Sequence, residues 1–168
     1  MLLKQGKKVI LRKTTIDECN LIEQTEVHPD NTPFIGHWSL EEHVDSLNNL
    51  DHLRITISNI KDEFCGFVIL RGMDNYKESI EIKRIVVTKK GEGLGRETLN
   101  LLKSLAFEDY NTKHLFLSTR TENVRAIHLY TSAGFIAEAE RPTVFHMYKD
   151  DYFEKSHIED SLKISCRE

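Results

Sequence analysis

"IEIKRIVVTKKGEGLGRETL", residues 80–99, runs from a β-branched stretch into a helix-like one through three glycines at alternate positions. Gly91, Gly93 and Gly95 each lose more conformational freedom on folding than any other residue type would. Either the turn demands positive φ there, or something approaches the backbone closely. Upstream, "SIEIKRIVV" reads as a strand, apolar enough at its end to be buried on both faces. Downstream, "LGRETLNLLKSLAFEDY" places Leu94, Thr98, Leu101, Leu102 and Leu105 at helical spacing. A strand, a short turn and a helix start leave the first N–H groups of the helix without partners, and those donors together with the helix dipole favour an anion. Glycines at alternate positions remove the Cβ atoms that would hold a pyrophosphate away. A plain strand-to-helix turn accounts for the glycines as well. A dinucleotide fingerprint does not, because Arg96 stands where the last glycine of G-x-G-x-x-G belongs, and the G-K-[ST] of a phosphate-binding Walker loop is absent.

Working outward, "KKVILRK" alternates like a strand. "TTIDECNLIEQTE" follows with Thr15 and Glu18 at capping-box spacing and Leu21, Ile22 and Thr25 on one helical face. "HPDNTPFIGHW" is turn-rich. "SLEEHVDSLNNL" repeats the capping box at Ser39 and Glu42, with Leu40, Val44 and Leu47 as its apolar face. "HLRITISN" and "EFCGFVILRG" form a hairpin across "NIKD". Beyond the glycines, "KHLFLST" is a strand, and "NVRAIHLYTSAGF" is a helix with Asn123 as N-cap, Val124, Ile127 and Tyr130 at helical spacing, and Gly134 just past its end. "FIAEAE" reads as a strand again, and "SLKISC" as a closing one. The expected order is βααβββαβαβ plus a final strand: an α+β fold on a mixed, mostly antiparallel sheet flanked by helices. Without repeats, low-complexity tracts or linkers, residues 1–168 read as a single domain.

Composition narrows the function classes. The chain has 168 residues, 39% hydrophobic and 30% charged, and no stretch of about 20 apolar residues that would span a bilayer. "MLLKQGKKVILRK" is too short an apolar start for a secretory signal, so cytoplasmic localisation is expected. Three widely spaced cysteines, Cys19, Cys65 and Cys166, argue for reduced thiols. A net charge of −4 gives no electrostatic reason to bind nucleic acid and weakly suits a cationic substrate. Eight histidines show no metal-ligand spacing, so no metal is expected.

Residues 80–99, followed by N-x-x-A-x-x-L-Y-x-x-x-G-F at Asn123, Ala126, Leu129, Tyr130, Gly134 and Phe135, resemble the GNAT superfamily of acetyl-CoA-dependent N-acetyltransferases. The superfamily's cofactor loop, Q/R-x-x-G-x-G/A, is matched by Lys90 to Gly95 except at its first position, where lysine keeps the charge but loses the planar fork. The connection before it, Thr88, Lys89 and Lys90, is shorter than in many relatives. The resemblance covers residues 8–140. "PFIGHW" and the glycine stretch look most like the branch holding ribosomal-protein N-terminal acetyltransferases and spermidine/diamine acetyltransferases.

The resemblance implies that acetyl-CoA is the cosubstrate and that its pantetheine pairs with the strand end Ile85, Val86 and Val87. It implies that Lys90, Gly91, Glu92, Gly93, Leu94, Gly95, Arg96 and Glu97 surround the pyrophosphate, and that Asn123, Ala126 and Tyr130 face the thioester end. A neutral primary amine would attack directly, through a tetrahedral intermediate, with a backbone N–H at or beside Val87 stabilising the oxyanion. Tyr130 would protonate the leaving sulfur as general acid; as a helix residue it also reads as ordinary core. Asn123 can cap and still contact the cofactor. Glu81 is a candidate base acting through water, and pairing with Lys83 or Arg84 explains it equally. The acceptor is a small polyamine or other amine, or a protein N-terminus. Glu26, His28, His37, Trp38, Glu41 and Glu42 line its pocket if their side chains converge. A CoA-binding regulatory module without turnover is the competing reading, a nucleotide-binding regulator a weaker one. No membrane partner is expected, and a homodimer stays open.

Overall fold

In the computed structural model, which describes residues 1–149, the hairpin strands β3 (His52–Asn59) and β4 (Phe64–Arg71) form the middle of an eight-stranded sheet. Their turn carries Asp62 at φ 59°, a left-handed conformation that aspartate tolerates. The chain enters through β1 (Leu2–Gln5) and β2 (Val9–Lys13), and β2 pairs antiparallel with β3. Helices α1 (Cys19–Glu26) and α2 (Leu40–Asp45) connect β2 to β3. On the far side of β4 lies β5 (Ser79–Val87), which leads through the glycine turn into α3 (Leu94–Ser104). The remainder is β6 (His114–Ser118), α4 (Val124–Ser132), β7 (Ile136–Ala137) and β8 (Val144–Tyr148). The spatial order is β1-β2-β3-β4-β5-β6-β8-β7, and every neighbouring pair is antiparallel except β5–β6. The fold is thus α+β on a mostly antiparallel sheet, as the element order implied.

Strand alternation divides the core between two faces. Val68, Leu70, Ile80, Ile82, Leu115 and Leu117 pack against Leu94, Leu99 and Leu102 of α3 and Tyr130 of α4. Phe67, Ile69 and Val86 point the other way, onto Ile22 of α1 and the α1–α2 connection at Ile35 and Trp38.

Several expectations need correction. Strand β1 is additional. Its sequence, "LLKQ", has no alternation, and it is held by pairing with β2 across a turn closed by Gly6 N–H donating to Val9 O at 2.8 Å. The last described strand is β8, Val144–Tyr148, seated between β6 and β7; the expected strand at "SLKISC" lies outside the described residues. "FIAEAE" supplies only a two-residue strand. On α1 the inward residues are Cys19, Ile22, Thr25 and Glu26, while Leu21 faces out. On α2, His43 is buried and Leu40 exposed, because this six-residue helix packs on a charged cluster and not on hydrocarbon. On α3 it is Leu99, not Leu101, that is fully buried. Val124 of α4 is exposed. The end of β5 is buried only at Val86, Ile85 and Val87 being half-buried.

Both capping boxes are present in part or whole. The Glu18 carboxylate accepts from Thr15 N–H at 2.9 Å, ahead of a 3-10 turn leading into α1. Glu42 accepts from Ser39 N–H at 2.7 Å while Ser39 Oγ accepts from Glu42 N–H at 3.3 Å.

Candidate active site

Strand β5 keeps its partner β6 only from Ser79 to Ile82, whose last pairing is Ile82 with Leu117. At that point a bulge interrupts its register with β4, between the pairs Leu70–Ile82 and Ile69–Arg84, and such a bulge bends a strand. Beyond it, among the described residues, β5 continues beside β4 alone. Thr88 N–H donates to Cys65 O at 2.8 Å, and the register pairs Gly66 with Val87 and Phe67 with Val86. Antiparallel bonding alternates residue by residue. Val86 therefore turns its N–H toward β4, whereas Ile85 and Val87 turn theirs to the opposite edge, which β6 has left.

That edge opens into a cleft of about 320 Å³. Its floor is Ile85, Val86 and Val87, one end is the glycine turn with the start of α3, and one wall is α4 with Asn123, Ala126 and Tyr130. Gly91 and Gly93 have φ 85° and 81°, a left-handed conformation that a side chain strains, so the turn itself demands them. A Cβ on Gly91 would meet no atom within 4 Å, and the space over it is open to a ligand. Gly95 serves a different purpose. Its missing Cβ would lie 3.2 Å from Leu129 Cδ2, and this close approach lets α4 settle against α3. Arg96 reinforces the contact by donating to Ser132 Oγ at 2.9 Å.

Asn123 caps α4, its side-chain oxygen accepting from Ala126 N–H at 3.3 Å. Seven residues on, Tyr130 lies on the same helical face. Its ring packs against Phe135 and Phe145, and burial pushes its phenol up to about 12. Of the residues expected around the cofactor, all line this cleft except Glu92 and Glu97, which lie toward the β1–β2 hairpin. Glu81 is not brought to it. Its carboxylate meets the Arg71 guanidinium at 2.6 Å, on the stretch of β5 still paired with β6.

The opposite wall comes from the α1–α2 connection. Asp30, Phe34 and Ile35 line the cleft, and Asp30 reaches across its mouth to the Lys90 ammonium at 3.5 Å. The acidic and aromatic residues expected to converge there do not do so. His28, His37, Glu41 and Glu42 are exposed, and Glu42 is engaged in the Ser39 cap. Glu26 and Trp38 instead build a buried cluster behind this wall. The Glu26 carboxylate accepts from Trp38 N–H at 2.9 Å, meets Arg84 at 2.5 Å and lies 3.2 Å from His43 Nε2. His43 Nδ1 lies 2.7 Å from Arg54, whose other nitrogen donates to Ser46 Oγ. The Trp38 ring is covered by the Arg84 guanidinium, 4.5 Å from its centroid. Burial alone would raise the Glu26 carboxyl; bonds from His43 and Trp38 N–H and the Arg84 charge outweigh it and hold the group below its ordinary value.

Sequence reading missed Asp30 and Phe34, which sit in a turn-rich segment without periodicity. It also missed Lys89 and Arg125, which add positive charge to the lining, and His128, which adds an imidazole. For the last two a signal existed: basic residues three apart on α4, beside the face that carries Ala126 and Tyr130. Among the described residues no group of histidines, cysteines and carboxylates could hold a metal ion, and no helix is long and apolar enough to cross a membrane.

Comparison with known proteins bears on the family and the fold. Residues 18–135 match the model of the Acetyltransferase (GNAT) family. A spermidine N(1)-acetyltransferase from Vibrio cholerae serotype O1 is 25% identical over 121 residues, 65% of this chain and 69% of that protein. Among solved structures, spermidine N-acetyltransferase from Vibrio cholerae in complex with CoA and spermine superposes with a TM-score of 0.75 at 19% identity, over 88% of this chain and 99% of that one. A dodecameric structure of the Vibrio cholerae spermidine N-acetyltransferase, in an intermediate state, gives 0.71 at 20% identity, over 90% and 99%. At these identities the structural likeness is one of fold.

Proposed function

Because the chain belongs to the GNAT family of acetyltransferases, we propose that it moves the acetyl group of acetyl-CoA to a primary amine, on a small polyamine or a protein N-terminus, in the cleft beside β5. One observation carries this reading. The N–H groups of Ile85 and Val87 face an edge that no strand among the described residues occupies, and this edge leads directly to the start of α3, where the first N–H groups have no intrahelical partner. An extended amide chain ending in a pyrophosphate fits such a track, with strand-like pairing at one end and an anion seat at the other.

Acetyl-CoA supplies an activated thioester carbonyl when bound. The outward N–H groups of β5 at and beside Val87, those of Val87 and Ile85, are the donors available to the carbonyl oxygen on which negative charge builds during attack. Gly91 and Gly93 keep side chains out of the pyrophosphate seat, and Lys89, Lys90 and Arg96 add positive charge around it. Tyr130, a phenol that is neutral at physiological pH and that burial pushes further up, to about 12, directs its Oη proton at the leaving sulfur. Asn123 fixes the start of α4 and so the height of Tyr130 in the cleft. Phe34 and Ile35 give the acceptor an apolar wall, with Asp30 as the carboxylate beside it. Glu81 takes no part, being committed to Arg71. The attacking amine arrives unprotonated from solution.

Thiol release from acetyl-CoA, measured with polyamines, free amino acids and N-terminal peptides, tests the proposal. It expects turnover with at least one amine class. Turnover confined to hydroxyl acceptors would contradict it.

A further inference from the structure

The β1–β2 hairpin lies outside the cleft, yet it grips the glycine turn from behind. Glu97, in the first turn of α3, accepts from Lys8 N–H at 2.8 Å and from Val9 N–H at 3.3 Å. The Lys8 ammonium donates at 3.0 Å to the Glu92 carbonyl, which lies between Gly91 and Gly93. Gly6 makes the fit feasible. A Cβ there would fall 2.1 Å from Glu97 Oε1, so any larger residue would push the carboxylate off the hairpin.

We infer that the hairpin is a positioning device for the anion seat, with Lys8, Glu97 and Gly6 as positioning residues that touch no ligand themselves. Two glycines in three residues give a turn wide conformational freedom. A ligand that had to order such a turn would lose that entropy from its affinity. The Lys8 ammonium holds the Glu92 carbonyl toward the hairpin, so this oxygen does not face an incoming anion. The Glu97 carboxylate then locks the first turn of α3 to the same hairpin, and both ends of the seat are fixed before anything binds. This also explains why Glu92 and Glu97 stand apart from the other expected cofactor residues: the Glu92 carbonyl and the Glu97 carboxylate are engaged on the opposite side.

The inference rests on reading the glycine turn as the pyrophosphate seat, and calorimetric titration with acetyl-CoA separates the two claims. Lys8→Met removes the ammonium, Lys8→Arg restores a donor, and Gly6→Ala displaces Glu97 without changing any charge. Lys8→Met and Gly6→Ala should each raise Kd for acetyl-CoA about five- to tenfold, the scale of one lost charge-assisted hydrogen bond acting indirectly. Lys8→Arg should bind close to wild type, and all three free variants should unfold near the wild-type midpoint. Wild-type affinity in both Lys8→Met and Gly6→Ala overturns the inference and leaves the seat in place. Weak binding by Lys8→Met with wild-type affinity in Gly6→Ala also overturns it, since Lys8 would then act by its charge alone. Failure of the wild type to bind acetyl-CoA would remove the seat, and this inference with it.

Discussion

Under α3 and α4 the sheet meets Leu99, Leu102 and Ala133 with Ile55, Val68, Ile80 and Leu115, hydrocarbon against hydrocarbon, whereas under α1 and α2 it buries Glu26, His43, Arg54 and Arg84 around Trp38. Both faces exclude water and both position a wall of the cleft, but they do so under different rules. Apolar packing is non-directional, so each side chain contributes separately and a loss stays local. A buried charge cluster is favourable only when every member is satisfied, and removing one leaves the others stranded in a medium of low dielectric. The α4 wall with Tyr130 thus rests on a tolerant support. The opposite wall, from Asp30 to Ile35, rests on an exacting one.

Urea unfolding can break this contrast. Glu26→Ala should cost about 3–5 kcal/mol by stranding Arg84 and His43, and Leu99→Ala about 2–5 kcal/mol as a cavity. The sharper test is recovery. Glu26→Met combined with Arg84→Met should regain part of the loss, because Arg84 is no longer stranded while His43 and the Trp38 N–H stay without their acceptor. If the double variant is as unstable as Glu26→Ala, charge is not what distinguishes this face. The same cluster sets an acid limit. The Glu26 carboxyl titrates lower in the folded chain than its ordinary 4.5, so its contribution is complete above that pH and is lost as pH falls through the lower folded value.

On the tolerant side, Tyr130→Phe keeps the ring among Phe135 and Phe145 and removes only the hydroxyl. Stability should hardly change, while kcat falls about 10²-fold, the low end for a general acid because thiolates leave readily. With the phenol pushed up to about 12, the wild-type rate should rise as the acceptor amine loses its proton and show no falling limb through pH 10. A falling limb near 10, absent in Tyr130→Phe, would mean that burial does not shift this group. Unchanged kcat in the variant would make Tyr130 a packing residue.

The two faces also differed in how far they could be read from sequence. Periodicity found α3 and α4, and the caps at Ser39 and Asn123, because apolar spacing and local capping are written in short windows. It misjudged α2, where His43 faces inward and Leu40 outward, since the partners that make burial of His43 favourable, Glu26 and Arg54, are remote in sequence. Strand β1 escaped for a similar reason: "LLKQ" is extended only because β2 lies beside it. Along the cleft, the glycine turn and the Asn123–Tyr130 helix were legible as motifs. The departure of β6 from β5 after Ile82 has no local signature of its own: the family resemblance implied an open edge at Ile85–Val87, and register located where it begins.

That free edge is the central claim, and amide exchange followed by NMR tests it residue by residue. With acetyl-CoA added, the account predicts slowed exchange at Ile85 and Val87 and at the amides of the glycine turn, with Val86 unchanged because its N–H is already bonded to β4. Saturating acetyl-CoA that leaves Ile85 and Val87 exchanging as in the free protein, or that slows all three strand amides alike, would contradict it.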